Sequence, residues 1–241
     1  LWRLGLLENV KRAALNPRTL AQAALTASII TVNWGVYVWA VGAGRALETA
    51  LGYYINPLFS VFLAAVLIGE KLNRTQLVAI GFALAAVAIL TWDAGGLPWV
   101  SLALTFSWGF FAYFKKTLPV GPTEGFFLEV LILSGPALLF LGWLGTQGTG
   151  HFAQGILKDD LLLAGTGLVT AIPLILYANG AKLLRLSTIG IMQYIAPTMI
   201  FLFAVFLFHE PFNSTRLIAF VFIWSALAIY SWSLFKAHRN R

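Results

Sequence analysis

A segment running from Tyr54 to Glu70 occurs twice in the chain. The first copy reads Tyr54-Ile55-Asn56-Pro57, then twelve mostly apolar residues, then Glu70. The second reads Tyr194-Ile195-Ala196-Pro197, then twelve more residues, then Glu210. The offset is 140 positions, and the same register pairs Tyr37 with Tyr177, Arg45 with Arg185, Asn73 with Asn213, Thr75 with Thr215 and Trp92 with Trp232. Leucine and alanine matches carry no weight in so apolar a chain; the tyrosine, proline, arginine, glutamate, asparagine and tryptophan matches do. A repeat at fixed spacing decides architecture before any local pattern does. The chain contains an internal duplication.

Its medium follows from composition. Hydrophobic residues make up 59% and charged residues 10%, against roughly 25% charged in a soluble domain. Apolar runs of about 20 residues recur along the chain, enough to cross a hydrocarbon core of about 30 Å as helices. A buried soluble core accounts for one such run, not for eight separated by short polar breaks. The spans predicted are 19–42, 46–69, 75–93, 96–114, 123–145, 161–181, 187–208 and 216–235. The fold class expected is therefore an all-α polytopic membrane bundle. Residues 1–18 are basic and partly amphipathic. Their apolar stretch is too short for a signal peptide, and they read as a solvated loop or surface helix. There is no cysteine, so disulfides and thiolate metal sites are excluded. The net charge of +7 lies between apolar runs rather than on a soluble face, so no nucleic-acid partner is expected.

Lysine and arginine set the orientation. With residues 1–18 in the cytoplasm, that side carries Arg3, Lys11, Arg12, Arg18, Lys71, Arg74, Lys115, Lys116, Lys182, Arg185, Lys236, Arg239 and Arg241. The outer side carries Arg45, Lys158 and Arg216. This is the positive-inside pattern. It puts Glu70 inside and its twin Glu210 outside, so the two copies lie upside down relative to each other. Inverted repeats can exchange conformations and open a midplane site first to one face, then to the other. Two spans within residues 97–140 have first-copy counterparts that would fall before Leu1. The expectation is eight helices of a ten-helix, five-plus-five protein, with two N-terminal helices missing. Residues 19–93 then form the rest of the first repeat and 96–235 the second, flanked by cytoplasmic segments 1–18 and 236–241.

Several phrases carry a family resemblance. Asn33-Trp34, Trp39-Ala40-Val41, Leu47-Glu48, Leu51-Gly52-Tyr53-Tyr54-Ile55-Asn56-Pro57-Leu58 and Gly69-Glu70 are followed by Arg185-Leu186-Ser187-Thr188 and Gln193-Tyr194-Ile195-Ala196-Pro197-Thr198. In this order they closely resemble RarD-type proteins, EamA-domain members of the drug/metabolite transporter superfamily named for a chloramphenicol-sensitivity phenotype. The resemblance covers the chain from about Asn33 to Ala228. It implies two inverted five-helix units in a bacterial inner membrane that move small metabolites or drugs, usually outward. It also implies a peripheral fifth helix in each unit, which leaves homodimerisation open.

Polar and aromatic groups inside spans are expensive in hydrocarbon and tend to face the bundle interior or a water-filled path. Glu129, five residues from Glu124 and so roughly 7 to 8 Å along a helix, is the sharpest case. It is the candidate for proton coupling or for pairing with a cationic substrate; a glutamate that snorkels or pairs with a lysine is the plainer alternative. Glu48 reads as an interfacial residue or a partner for Arg45. Asn33, Trp34 and Tyr37 in the first span, Tyr53 and Tyr54 in the second, Tyr177 and Asn179 in the sixth, and Gln193 and Tyr194 in the seventh are candidate substrate contacts. For these, aromatic interfacial belts and satisfied buried hydroxyls compete with binding. Asn56, Pro57, Pro173 and Pro197 read as hinge positions, since proline removes a backbone donor and kinks a helix. Plain packing competes there. Glu70 and Glu210 each end a span; the Asn73/Thr75 and Asn213/Thr215 that follow read as caps of the next helix, with each glutamate favouring the same positive helix start, and a gate is the competing reading.

Enzyme chemistry finds little support. His151, His209 and His238 make no metal-ligand spacing, and Gly145 to Gly150 lacks the Gly-Lys-Ser/Thr ending of a P-loop. No cofactor is called for. The function expected is secondary transport or export of small metabolites or drugs, with protons as a candidate coupling ion. The alternative is a non-transporting membrane scaffold or receptor of the same fold.

Overall fold

The computed structural model describes residues 7–68, 72–94, 96–148, 150, 152, 156–183 and 195–239. Among them every regular element is helical, as an all-α bundle requires. The helices are α1 (Leu7–Leu15), α2 (Pro17–Gly42), α3 (Ala46–Ile68), α4 (Arg74–Ala94), α5 (Trp99–Thr117), α6 (Pro122–Gln147), α7 (Leu157–Leu183), α8 (Ile195–Leu202) and α9 (Ser214–Arg239). Helix α8 runs on into a π-helical segment, Phe203–Leu207. By length and composition α2, α3, α4, α6 and α9 can each cross a membrane, and Ile195–Leu207 is a shorter apolar helix. The segment expected to be a loop or surface helix holds α1. Helix α5 starts three residues later than hydropathy placed it and carries its last turn through Lys115 and Lys116.

Local chemistry sets the helix ends. Asn16 caps α2, its Oδ1 accepting the amides of Arg18 and Thr19 at 3.0 and 3.3 Å. Pro17, with no N–H to leave unpaired, stands at the first position. Asn73 and Gln76 close a reciprocal capping box on α4, at 2.8 and 3.0 Å. Asn213 Oδ1 accepts the Arg216 amide at 2.8 Å and caps α9. Helix α6 starts with Pro122 and ends on Gly148 at φ 66°. That left-handed turn lets the Gly148 and Gly150 amides reach the last carbonyls.

The chain forms two compact units. The first comprises Leu1–Ala27 and Leu118–Leu186, the second Ser28–Thr117 and Ser187–Arg241. In the first unit Val10 and Ala13 of α1 pack with Ala23, Leu118 and Leu128. Further along α6, Leu138, Leu139, Phe140 and Trp143 lie exposed, a surface that lipid rather than water would cover.

The core of the second unit joins α3, α4, α8 and α9. Leu51, Tyr54 and Leu58 meet Phe220, Ile223 and Leu227, while Ala79, Ala83 and Ala86 let α4 approach closely. Helices α3 and α5 are sewn together by hydroxyls. Ser101 Oγ donates to the Glu48 carbonyl at 2.7 Å, and Thr105 Oγ1 is shared between the Gly52 carbonyl at 2.9 Å and the Ser101 carbonyl of its own helix at 2.7 Å. Only glycine fits at 52, since a Cβ there would lie 2.8 Å from the Ser101 carbonyl oxygen.

Candidate functional site

The second unit buries a cluster of neutral polar and aromatic groups between α2, α3 and α5. Asn33 is fully buried. Its Nδ2 donates to Ser107 Oγ at 2.8 Å and to the Leu104 carbonyl at 3.2 Å. Its Oδ1 accepts the Tyr53 hydroxyl at 3.2 Å. The Tyr53 ring lies 5.9 Å from that of Tyr37 and meets Trp108 edge-on at 6.1 Å. A buried amide needs each of its donors and acceptors answered, and here one asparagine organises three helices. Asn33, Tyr37 and Tyr53 are thus brought together. Trp34 is exposed and outside the cluster.

Tyr54 takes another face of α3, where its hydroxyl and Thr198 Oγ1 lie 2.7 Å apart. Both line a cleft of about 440 Å³ with Phe201, Trp224, Leu227 and Ser231. Asn56 is buried in mid-α3 beside Pro57, through which the helix continues. Pro197 is buried in α8. Pro173, Tyr177 and Asn179 belong to the α7 sequence, but their side chains lie outside the described residues, as do Glu70, Gln193 and Tyr194 altogether.

Glu129 belongs to the first unit. It is buried, with 4% of its surface exposed, and Thr26 Oγ1 lies 2.7 Å from its Oε1. The same hydroxyl is 2.9 Å from the Ala23 carbonyl oxygen. Glu124, also buried, sits 3.5 Å from Asn9 Nδ2. Thr26 carries no signal in sequence, because a threonine in an apolar span commonly bonds only its own helix.

Glu210 departs from expectation. It does not cap the following helix, whose start Asn213 already serves. Its carboxylate instead accepts the amides of Ala46 and Leu47, at 2.5 and 2.9 Å, at the start of α3. The π-helical segment makes this reach. It widens the winding to an i→i+5 bond, Phe208 N–H to the Phe203 carbonyl, and His209 at φ 51° turns the chain so that the Glu210 amide bonds the Ala204 carbonyl. Next to this cap the Arg45 guanidinium holds Glu48 at 2.6 and 3.0 Å and lies against the rings of Trp39 and Trp99. The partnership expected for Glu48 is the one observed.

Long apolar helices with lipid-suited surfaces, enclosing buried amides, hydroxyls and carboxylates, define a polytopic membrane protein with a polar interior. Residues 4–92 match the EamA-like transporter family. The chain is 42% identical to Protein RarD of Streptomyces exfoliatus, over 96% of this chain and 73% of that protein. It is 44% identical to the uncharacterized transporter YojE of Bacillus subtilis (strain 168), over 89% and 72%. Identity to the chloramphenicol-sensitive protein RarD of Pseudomonas aeruginosa is 33%, over 95% and 76%. No solved structure matches. The chain belongs to the RarD-type branch of the EamA-like transporter family, and is a multi-pass membrane transporter of the drug/metabolite class.

Proposed function

We propose that the protein is a secondary active exporter of small metabolites or amphipathic drugs in the bacterial inner membrane. It works by alternating access between its inverted repeats, with residues 1–18 and the C-terminus in the cytoplasm. The polar-aromatic cluster around Asn33 supplies the substrate contacts, since pockets for small molecules combine aromatic walls with a few well-placed polar groups. Protons drive the cycle through Glu129. The observation that carries the coupling is Glu129 itself, a carboxyl group buried inside an apolar helix with a hydroxyl partner. Such groups in membrane spans mark ion and proton paths.

The experiment is uptake into inside-out vesicles from cells producing the protein. Labelled amino acids, nucleosides and amphipathic drugs are offered with and without a proton gradient. Accumulation that collapses with the gradient, and is lost in Glu129→Gln, is the expected result. Accumulation untouched by that substitution sinks the coupling assignment. No accumulation of any compound shifts weight to the scaffold reading.

A further inference from the structure

Asn56 holds an acceptor with nothing to accept. Its Oδ1 is buried without a hydrogen-bond partner among the described residues, and the whole residue is 7% exposed. Hydrocarbon offers such a group no donor, so an orphan acceptor inside a bilayer span asks for a reason.

Its position supplies one. Gly52, four residues before it, bonds α5 through Thr105, and Phe59, three residues after it, lies on Gly109 of α5. Residues three and four apart share a helix face, so Asn56 faces α5, as do its neighbours on that stripe. The Asn33–Tyr53–Ser107 bonds and the Tyr53–Trp108 contact bridge to the same helix. Pro57 has no N–H to return to the Tyr53 carbonyl. Asn56 Oδ1 therefore stands, beside a proline break in the bonding ladder, near the middle of a membrane helix, where transporters of inverted-repeat design place their sites.

The repeat provides an internal control. Pro197 matches Pro57 in register, and the position before it is Ala196. Alanine therefore suffices ahead of the proline, and the amide of Asn56 is not required by the helix break. No charged side chain takes part in the cluster formed by Asn33, Tyr37, Tyr53, Ser107 and Trp108.

We infer that Asn56 Oδ1 is a substrate-recognition atom, which accepts a hydrogen from an N–H or O–H carried beside an aromatic ring of the transported molecule. The substrate class is an amphipathic aromatic compound selected by a donated hydrogen rather than by its formal charge. This rests on the transporter reading and adds to it the group that discriminates among substrates.

Two dyes test it. Proflavine carries two ring amino groups, and acridine orange has the same ring with both amino groups fully methylated. Binding of each to the purified protein in nanodiscs is followed by fluorescence anisotropy, for wild type and Asn56→Ala, with thermal unfolding of both. Wild type should bind proflavine about tenfold more tightly, one net hydrogen bond's worth of selectivity. Asn56→Ala should bind the two dyes alike and unfold at the wild-type temperature or above, because it removes an unanswered polar group. Equal binding by wild type, absence of saturable proflavine binding, selectivity that survives Asn56→Ala, or a lowered unfolding temperature in that variant would each overturn the inference. Donor selectivity lost in Asn56→Ala, in a protein whose vesicles move nothing, would refute the transport reading alone.

Discussion

Thr26 Oγ1 lies 2.7 Å from Glu129 Oε1 and 2.9 Å from the Ala23 carbonyl oxygen, yet a threonine hydroxyl has one hydrogen to give. That hydrogen can go to the Ala23 carbonyl or to Glu129, an exchange of hydrogen-bond partner that needs no helix movement. Thr26→Val removes the exchange, and Thr26→Ser keeps it. Proton-driven uptake into inside-out vesicles should fall about tenfold or more in Thr26→Val, on the order of one buried hydrogen bond to a charged group, and survive in Thr26→Ser. Equal activity in all three proteins would remove Thr26 from the coupling site.

The Glu210 cap predicts a loss of stability at a distance. Removing it leaves the Ala46 and Leu47 amides without their carboxylate partner. Glu210→Ala should cost about 3 kcal/mol and Glu210→Gln about 1 to 2, since the amide keeps an acceptor but not the charge at a positive helix start. Thermal unfolding in detergent measures both. Identical unfolding temperatures for the three proteins would show that the contact contributes nothing.

Gly52 and Gly81 should respond in opposite directions. A Cβ on Gly52 meets the α5 backbone at Ser101, whereas nothing lies within 4 Å of one on Gly81. Gly52→Ala should destabilise by about 1 to 3 kcal/mol through overpacking. Gly81→Ala should stabilise by about 0.5 to 1 kcal/mol, the usual gain in a helix interior. The same unfolding assay decides, and a stabilised Gly52→Ala would mean that α3 and α5 separate readily.

Topology can be read by labelling, because the chain has no cysteine of its own. The Glu210 contact places the turn at Gly44 and the turn at His209 at one end of the second unit. Single cysteines at these two positions should react alike with a membrane-impermeant maleimide. In intact cells both should label, and a cysteine at Asn16 should not. Labelling at Asn16 with protection at Gly44 would reverse the orientation argued from the basic residues.

Much of this was legible because hydropathy and caps are local. Seven span-length helices were foreseen with ends within a few residues, and Asn73 and Asn213 cap α4 and α9 as their positions promised. Helix α5 lies three residues further along at each end than hydropathy places it, while α7 starts four residues before its expected span and α9 ends four residues after its own. The start of α5 follows Pro98, and Lys115 lies over the Phe111 ring, its stem along the apolar surface, without ending the helix. The π-helical segment was not legible, since Phe203 to Leu207 reads as ordinary apolar helix and its winding answers to tertiary demands.

The candidate sites were half legible for a similar reason. Asn33 and Glu129 stood out as polar groups in apolar runs. Their partners Ser107 and Thr26 did not, because small hydroxyls usually satisfy themselves on the preceding turn. Glu210 reads from sequence as an acid favouring the start of the next helix, whereas its carboxylate caps α3, for no local rule links a loop to an amide 164 residues away.

That separation also bears on how the protein is made. Helix α3 emerges from the ribosome long before residue 210 exists. At about 5–20 residues per second the start of α3 waits roughly ten to thirty seconds for its carboxylate. Until then its first amides must find other partners, at the lipid headgroups or in the insertion machinery. A nascent chain interrupted before Glu210 would leave that helix end without its carboxylate partner, so the first turn of α3 is completed only when a segment 164 residues downstream exists.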